Sequence, residues 1–573
     1  MLMLPGLVSA DVSIRDTTIT WPTFDYELNA DNTMAWSTDT PYDTVTREFS
    51  GKVLENEYLR VTVVPEFGGR ILSMIYKPTG HEELYQNPVG APYGIGENWF
   101  YYKWLMVYGG IFPTLPEPEH GKAWLVPWES EIVTETADTI RFRMSWRDSV
   151  QLEDIDTGKW KYGMTYLRCN YTVSLISGAS SLEAEVTLSN DASVDLDYEY
   201  WTCLTLAPGS EQGNPATTAG AELIIPATKV KIPSWYPDIA GQETPIPGED
   251  GVYTFSELRY WENWSNDGIA YPWDDANENY WGVINHDNEE GLIRIAENNI
   301  TPGIKIWAWG YPQSRDINPY EMPHSSRRPY LELWAGHSRE FFEPAYISAN
   351  SDKKWKEIYV PTVGLSNVTH ANKQIVADFR IEGGSESRTV SLDFVPTSPD
   401  TSVEVSISID GQHQQELTRE SVSPDPVNGN RVQTALPANQ MWTANDSLRF
   451  TITSPDNHLH LADAIPLDTI TTGVRSDAGT ALPQNVVLYQ NYPNPFNGRT
   501  TIEYSIGSRS HVEISVFSIT GQLVTTLVDA EKSSGKYSVH WSPQVSSGIY
   551  YYKIRAQSNE ATTTDYRKLV IIK

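Results

Sequence analysis

The chain is 573 residues long and contains 42 Lys and Arg against 74 Asp and Glu, a formal net charge of −32. This length exceeds what one hydrophobic core can organise and predicts two to four domains. The acidic balance argues against nucleic-acid binding, which needs clustered cations, and against docking on an anionic membrane. No apolar run is long enough for a transmembrane segment.

The N-terminal residues 1–10 are mostly apolar and end in the small residues Ser9 and Ala10. Small residues at such a point are typical of a signal-peptide cleavage site. The pattern predicts that residues 1–10 are the remnant of a secretory signal peptide, with a disordered N-terminus as the alternative. Residues 11–50 are polar and weakly patterned, and we interpret them as an N-terminal strand or arm.

Residues 51–366 are dominated by short runs in which apolar and polar residues alternate, separated by Gly, Pro, Asn and Asp. Such alternation predicts β-strands, and convincing amphipathic helical periods are absent. So many strands in one stretch favour a single large all-β sandwich. The predicted strands are Glu57–Pro65, Gly68–Tyr76, Ile132–Thr134, Thr139–Trp146, Met164–Leu175, Ser181–Leu188, Tyr198–Leu206, Trp281–Ile284, Leu292–Ile295, Ile304–Trp309 and Tyr330–Trp334.

The composition changes after residue 366, because eighteen of the twenty tryptophans precede it. Residues 367–470 have alternating runs separated by Ser, Pro, Asp and Gly, which predicts a small immunoglobulin-like sandwich acting as a spacer. Residues 471–484 have the composition of a linker. Residues 485–573 form a third module of alternating strands, within the size range of an independent domain.

Two cysteines, Cys169 and Cys203, lie in strand-like runs. In an exported protein they could pair, but two cysteines make no disulfide framework. Burial as small apolar side chains is the equally supported alternative. No CxxC or His/Cys cluster indicates zinc, and no cofactor is expected.

The stretch Tyr108–Glu129 is broken by glycines and prolines, yet it holds three carboxylates, His120, Trp124 and Trp128. No regular element fits such a stretch. Polar and aromatic groups on a loop favour a rim that stacks on and hydrogen-bonds a sugar, because functional residues concentrate on loops held by rigid scaffolds. The alternative is a tight loop whose aromatic side chains fill a core.

The C-terminal module resembles the type A sorting domain of the type IX secretion system. The resemblance covers residues 488–573 and rests on Asn491-Tyr492-Pro493-Asn494-Pro495-Phe496-Asn497, Gly521-Gln522, Ser547-Gly548-Ile549-Tyr550 and Lys568. It implies a Bacteroidetes-like source, export through the periplasm and outer membrane, and a cell-surface or secreted location. The secretion machinery would be a partner, and the domain would have no catalytic role.

The tryptophan-rich domain resembles the galactose-mutarotase-type supersandwich, in the branch described as domain of unknown function 5107. The likeness is carried by Glu57–Ile71, Pro118–Glu129, Lys305–Gly310 and Tyr330–Gly336 in this order. In mutarotases a histidine protonates or holds the ring oxygen while a glutamate takes the proton from the anomeric hydroxyl. The resemblance implies that His120 and Glu332 fill these roles, as an acid and a base on opposite sides of one sugar ring.

One feature departs from the mutarotase pattern. Many mutarotases carry a second histidine on a mid-chain strand, but the corresponding segment here, Tyr198–Cys203, contains none. Simple anomer interconversion is therefore in doubt. A lyase or hydrolase reaction on an oligosaccharide, using a carboxylate and a histidine or a carboxylate pair, is the alternative.

Further side chains are candidates for substrate binding beside Trp124 and Trp128. Arg70 follows two glycines, and its planar guanidinium suits a hydroxyl or carboxylate, although a structural salt bridge is equally compatible. Lys305, Trp307 and Trp309 share one face of a strand and would form either a sugar-stacking row or part of a core.

Two further features have competing interpretations. Residues Tyr311–Arg328 form a long polar segment that is either a lid or a solvated insertion. Asp274 and Asp275 offer oxygens to calcium, although adjacent acids are more often plain surface.

The sequence thus predicts an exported all-β protein, a large supersandwich followed by two small immunoglobulin-like sandwiches. The large domain is predicted to bind a carbohydrate and to act on it by acid/base chemistry. A non-catalytic glycan-binding module at the cell surface is the second hypothesis, and a structural adhesin without ligand is the third.

Overall fold

The structure is a computed structural model, and strands dominate the residues that it describes, as the sequence predicts. These residues also contain one short α-helix, α1 (Phe255–Leu258), and a 3-10 turn at Trp261–Asn263. The described residues are 12–28, 34–36, 44–92, 106–117, 121–124, 126–149, 164–234, 245–264, 267–273, 276, 278–309, 331–384, 387–398, 402–437, 442–443, 445–454, 459–467, 487–488, 491, 496, 500–506, 510–518, 522–532, 535–541, 543, 545–557 and 562–571.

The first domain contains the strands β1 to β26. They are β1 (Ser13–Phe24), β2 (Tyr26–Leu28), β3 (Met34–Trp36), β4 (Thr44–Glu55), β5 (Leu59–Val64), β6 (Arg70–Tyr76), β7 (His81–Leu84), β8 (Gln86–Pro92), β9 (Met106–Gly109), β10 (Ile111–Thr114), β11 (Glu129–Glu135), β12 (Thr139–Arg147), β13 (Arg168–Ile176), β14 (Leu182–Asn190), β15 (Leu196–Tyr198), β16 (Trp201–Ser210), β17 (Ala221–Ile224), β18 (Lys229–Lys231), β19 (Val252–Thr254), β20 (Asp267–Pro272), β21 (Tyr280–Asn285), β22 (Glu290–Ile295), β23 (Gly303–Trp309), β24 (Leu331–Gly336), β25 (Ala345–Ile347) and β26 (Ser351–Val363).

Two large sheets pack face to face in this domain. In the described residues the front sheet has 14 strands, in the order β19-β18-β20-β23-β24-β16-β10-β6-β5-β4-β1-β8-β9, with β7 attached to β16 and β6. The back sheet has eight strands, in the order β11-β12-β13-β14-β26-β22-β21-β17. The segment predicted as an N-terminal arm contains β1, which pairs with β4 from Ser13 to Phe24.

Strand alternation decides which side chains fill the space between the sheets. On the front sheet Ile304, Ile306 and Leu333 point inward and meet Phe142 and Val173 of the back sheet in one buried cluster. The residues between them in sequence point to the other side of the front sheet. We call this other side the outer face, and it is where the candidate site lies.

The far side of the back sheet is a solvated, charged surface. Glu185 pairs with Arg141 at 3.1 Å and with Lys354 at 3.1 Å, and Glu183 pairs with Lys356 at 2.9 Å. Exposed pairs of this kind contribute little to stability. Their presence shows that this surface faces water.

Both cysteines are buried free thiols. Cys169 belongs to the core between the sheets, whereas Cys203 lies in the separate cluster on the outer face. The alternative in which they pair is therefore wrong, and the alternative of buried apolar side chains is confirmed.

The second domain is a small sandwich of two four-stranded sheets around its own core, as predicted. The orders are β27-β28-β29-β32 and β31-β30-β33-β34. Its strands are β27 (His370–Ala371), β28 (Ile375–Gly384), β29 (Ser387–Pro396), β30 (Val403–Asp410), β31 (Gln415–Val422), β32 (Asn430–Leu436), β33 (Ser447–Thr453) and β34 (Leu459–Pro466).

This second domain packs directly on the first. Val376 and Val395 of the small sandwich share a buried cluster with Ile284 and Ile293 of the back sheet. The Tyr76 hydroxyl donates to the Pro426 carbonyl at 2.6 Å, across 350 residues of sequence. A shared apolar cluster and long-range hydrogen bonds fix the two domains together.

The C-terminal module is a third sandwich with its own core, made of a three-stranded and a four-stranded sheet. The orders are β35-β36-β39 and β38-β37-β40-β41. Its strands are β35 (Val487–Leu488), β36 (Thr500–Ile506), β37 (Ser510–Ser518), β38 (Leu523–Lys532), β39 (Gly535–Trp541), β40 (Gly548–Gln557) and β41 (Thr562–Ile571). The predicted signal remnant and the predicted linker lie outside the described residues.

Strand β7 carries two adjacent buried carboxylates, Glu82 and Glu83. The Glu82 carboxylate accepts hydrogen bonds from the amides of Met74 and Leu84, at 2.8 and 3.1 Å, and from the Ser73 hydroxyl. Burial nevertheless raises the pKa of Glu82 to about 7. Burial and the neighbouring carboxylates Glu290 and Glu82 also raise the pKa of Glu83 well above its ordinary value.

We expect the free energy of unfolding to fall as the pH rises from the ordinary glutamate value of 4.5 to about 7. In this window the folded chain binds more protons than the unfolded chain, and one group contributes at most about 1.4 kcal/mol for each pH unit. Thermal denaturation across the window should show a smaller pH-dependent decrease in Tm for Glu82→Gln than for wild type. Glu48→Gln, at an exposed position of β4, is the control, and equal slopes in all three proteins would contradict the assignment.

Candidate functional site

The outer face of the front sheet carries a second buried cluster, separate from the core between the sheets. It is rich in aromatic side chains, and buried charged residues lie among them, including Arg70, Lys305 and Glu332. The cluster consists of Trp21, Tyr26, Phe49, Val64, Phe67, Leu72, Tyr85, Phe112, Trp124, Trp201, Cys203, Ala207, Ile269, Tyr271, Trp307, Trp334 and Phe341.

Strand register brings the predicted residues of β23 and β24 together. Trp307 lies directly opposite Glu332, and Lys305 lies opposite Trp334. Directly opposed residues in an antiparallel pair point to the same face with their Cβ atoms about 5 Å apart. Glu332 therefore points away from Leu331 and Leu333, as the alternation predicts.

Lys305 is fully buried, and its ammonium lies against aromatic rings. Its Nζ is 4.1 Å from the ring centroid of Trp307, 4.2 Å from that of Trp334 and 3.8 Å from that of Phe341. Attraction between the cation and the ring faces is strong where water is excluded. This contact holds the positive charge beside the strand that carries Glu332.

The Glu332 carboxylate is 2% exposed and is oriented by its neighbour two residues along β24. The Trp334 Nε1–H donates to Glu332 Oε2 at 2.6 Å. A carboxylate oriented by an indole, with a lysine on the adjacent strand, can accept a proton or a hydrogen bond from a sugar hydroxyl.

The buried Cys203 thiol is influenced by the charges of Glu332, Lys305 and Arg70. Burial raises the pKa of Cys203 well above its ordinary value, and Glu332 raises it further, while Lys305 and Arg70 act in the opposite direction. Cys203 lies opposite Phe112 of β10 and opposite Trp334 of β24, which places its thiol on the outer face.

Arg70 is fully buried and binds two points within the predicted sugar-binding loop Tyr108–Glu129. Its guanidinium donates to the Gly109 carbonyl at 2.5 Å and to the Trp124 carbonyl at 3.5 Å. The same group lies 3.9 Å from the ring centroid of Phe112. Arg70 thus holds both ends of the segment that contains His120.

The last part of this loop is packed tightly against the turn before β6. Gly68 has φ +72°, and a Cβ at this position would lie 1.8 Å from the Trp124 carbonyl oxygen. Gly121 has φ +62° and leaves no room for a Cβ against Leu115. Glycine is required at both turns because a side chain there would be strained and would clash.

The two loop tryptophans lie on different sides of the front sheet. Trp124 stacks on Phe112 at 5.7 Å in the outer-face cluster. Trp128 belongs to the core between the sheets, where its Nε1 donates to the Ala123 carbonyl at 2.9 Å. Trp124 is therefore near the other candidates, and Trp128 is part of the core.

Several predicted features fall on parts of the chain that the structure leaves undescribed. His120, Asp274, Asp275 and the segment Tyr311–Arg328 lie outside the described residues. Trp309 is described as the last residue of β23, but its side chain is not. Within the described ranges, no three His, Cys, Asp or Glu side chains are grouped to hold a metal ion.

The segment that lacks the second histidine contains a buried carboxylate that sequence reasoning did not single out. Glu199 accepts from the Trp201 Nε1 at 3.3 Å and from the Phe342 amide at 3.2 Å. Phe342 has φ +70°, and its neighbour Phe341 covers Lys305. The only sequence signal for this carboxylate is its position between aromatic residues in the segment 198–201. That signal does not reveal that the Phe342 amide donates to it.

Two segments of the chain match known families. Residues 490–572 match the Secretion system C-terminal sorting domain, and residues 32–122 match the Domain of unknown function (DUF5107). Both resemblances predicted from the sequence are confirmed. The second match includes Arg70 and His120 and ends before the strands that carry Lys305 and Glu332.

Solved structures also match the chain. A TPR-domain containing protein from Parabacteroides distasonis is 16% identical with a TM-score of 0.49, and the match covers 64% of this chain and 57% of that one. A galactose mutarotase-like protein from Clostridium acetobutylicum is 10% identical with a TM-score of 0.36, covering 55% and 96%. A galactose mutarotase related enzyme from Lactobacillus acidophilus is 12% identical with a TM-score of 0.34, covering 56% and 100%.

The sorting-domain match indicates export to the cell surface or the medium. Across the described residues, we find no helix with the length and apolar character needed to cross a membrane. The chain thus contains a segment that matches the DUF5107 family model, at residues 32–122, and a C-terminal segment that matches the secretion sorting-domain model, at residues 490–572.

Proposed function

We propose that the large sandwich binds a sugar or oligosaccharide on the outer face of the front sheet and acts on it by acid/base chemistry. The single observation that supports this most is the grouping of Glu332, Lys305 and Trp307 on two adjacent strands. Indole faces match the apolar C–H faces of a pyranose, and a carboxylate beside a cation can move a proton at a hydroxyl.

In this proposal Glu332 is the base, and His120 is the acid or hydrogen-bond donor assigned by the sequence resemblance. Histidine suits that role because its ordinary pKa lies near neutrality. Arg70 positions the His120 loop through the carbonyls of Gly109 and Trp124. The type IX secretion machinery would recognise the C-terminal domain after export through a signal peptide.

Activity of the full chain would be followed as anomer exchange by NMR and as release of reducing ends from a panel of glycans. Glu332→Gln and His120→Ala are each expected to lower the rate by about 10²–10⁴-fold, the usual contribution of a positioned acid or base. Glu183→Gln on the back sheet is the control and should retain full activity. Rates equal to wild type in both site variants would refute the assigned roles.

The second candidate function is glycan binding without catalysis. It is favoured by hydrogen bonds within the protein: the Trp334 Nε1–H donates to the Glu332 carboxylate, and the Arg70 guanidinium donates to a backbone carbonyl. Polar groups bonded in this way hold the shape of a binding surface. In this case Trp307→Ala should abolish glycan affinity, whereas Glu332→Gln should leave it within about twofold, since less than half a kcal/mol would be lost.

A further inference from the structure

Tyr166 has an unusual backbone for an exposed aromatic residue. Its φ is +60°, a left-handed conformation that is strained for any bulky side chain. Tyr166 is 43% exposed, although Thr165 and Leu167 on either side are buried. Backbone strain of this kind persists only where the surrounding structure imposes it. A strained residue that exposes an aromatic ring to solvent is therefore a candidate for a function.

The backbone at Tyr166 is held by a buried ion pair between Asp148 and Lys122, and Lys122 belongs to the loop that contains His120. Asp148 accepts from the Thr165 amide at 2.8 Å and from the Thr165 hydroxyl at 2.8 Å. Its own partner is the Lys122 ammonium, at 3.3 Å, with both side chains almost fully buried. Since Lys122 is two residues from His120, this network ties the position of Tyr166 to the loop of the candidate site.

Arg147 lies on one side of the Tyr166 ring. Its guanidinium carbon lies 5.3 Å from the Tyr166 ring centroid, and its Nε donates to the Tyr166 carbonyl at 3.3 Å. Other arginines on β12 and β13 each pair with a carboxylate, namely Arg141, Arg143 and Arg168. For Arg147 the described residues offer no such carboxylate, which is notable in a chain of net charge −32.

We propose that Tyr166 and Arg147 form an accessory subsite for an acidic pyranose, a hexuronate unit of an oligosaccharide. This inference rests on the proposed function and names its substrate class. The apolar face of the sugar packs on the Tyr166 ring, and its carboxylate binds the forked N–H groups of Arg147.

The test measures affinities of the full chain by calorimetry. The probes are oligogalacturonate, alginate oligosaccharides and glucuronate-substituted xylo-oligosaccharides, each with a neutral counterpart. Tyr166→Gly and Arg147→Gln are each expected to weaken binding of an acidic probe by about tenfold or more. Tyr166→Gly should also keep or raise the Tm, because glycine relieves the left-handed strain.

Two matched variants serve as controls and should bind as wild type. Tyr346→Ala removes a similarly exposed tyrosine with ordinary backbone, and Arg143→Gln removes an arginine that is already paired with Glu131. A Tyr166→Gly protein that binds every acidic probe as wild type, or whose Tm falls, would overturn the proposal. Loss of binding in Tyr166→Gly but not in Arg147→Gln would overturn the acidic class.

The two proposals fail in different ways. If Glu332→Gln weakens glycan binding while Tyr166→Gly does not, the subsite is wrong and the proposed function stands. If wild type binds neutral probes but no acidic one, the subsite is again wrong and the proposed function stands. If wild type binds no oligosaccharide, both are wrong.

Discussion

Glu357→Gln is expected to lower the free energy of unfolding of the large sandwich by about 3–5 kcal/mol, the usual cost of leaving a buried charge without its partner. Glu357 is fully buried between the two sheets and pairs with Arg294, at 3.1 Å. Burial alone would raise the pKa of Glu357, but Arg294 and the hydrogen bonds to the carboxylate outweigh it and hold the pKa below its ordinary value.

The same carboxylate connects strands of both sheets. It accepts from the Thr202 hydroxyl of the front sheet at 3.0 Å. On its own strand it accepts from the Trp355 Nε1 at 3.0 Å and from the Tyr359 hydroxyl at 2.6 Å. A neutral amide at this position cannot satisfy these donors and the guanidinium together, so the loss includes hydrogen bonds as well as charge.

Chemical denaturation would measure this loss against two reference variants. Glu185→Gln, which breaks exposed pairs on the back sheet, should cost less than about 1 kcal/mol. The double variant Glu357→Leu/Arg294→Met should be more stable than Glu357→Gln, because it leaves no unpaired charge. A Glu357→Gln protein as stable as Glu185→Gln would contradict this role.

A fragment that ends at residue 366 is expected to be much less stable than one that includes the second domain. Truncation would expose Ile284, Ile293 and Val360, which are fully buried against Val376 and Val395. Burial of one such side chain contributes about 1.5–3 kcal/mol, so the loss approaches the total stability of a typical domain.

Fragments 12–366 and 12–467 would be compared by thermal denaturation and by binding of a hydrophobic dye. We expect a lower Tm and strong dye binding for the shorter fragment alone. Loss of the hydrogen bonds from Ser180 to the carbonyls of Pro396 and Thr397 acts in the same direction. Equal Tm values for the two fragments would mean that the second domain is only a spacer.

Much of this architecture was predictable because it depends on local pattern. Alternation gave the all-β class and the common face of Lys305 and Trp307, since side chains on a strand change sides at every residue. The same rule put Glu332 on the face opposite Leu331 and Leu333. The sorting domain was predictable because its turns have specific residues.

The rest depended on contacts between residues far apart in sequence. Nothing local to Arg70 indicates that it binds the Gly109 and Trp124 carbonyls. Trp124 and Trp128 look alike in sequence, yet the packing of the loop against Gly68 sends them to opposite sides of the sheet. Likewise, β14 pairs with β26 and places residue 183 opposite residue 358, and neither segment alone indicates this pairing.

The most direct test of sugar binding at Glu332 and Trp307 is a crystal structure of the full chain with the best-binding oligosaccharide of the panel. We predict a sugar ring on the outer face of the front sheet, in contact with Trp307 and with a hydroxyl within hydrogen-bond distance of the Glu332 carboxylate. A sugar bound elsewhere, with Glu332 and Trp307 free of contact to it, would contradict the central claim.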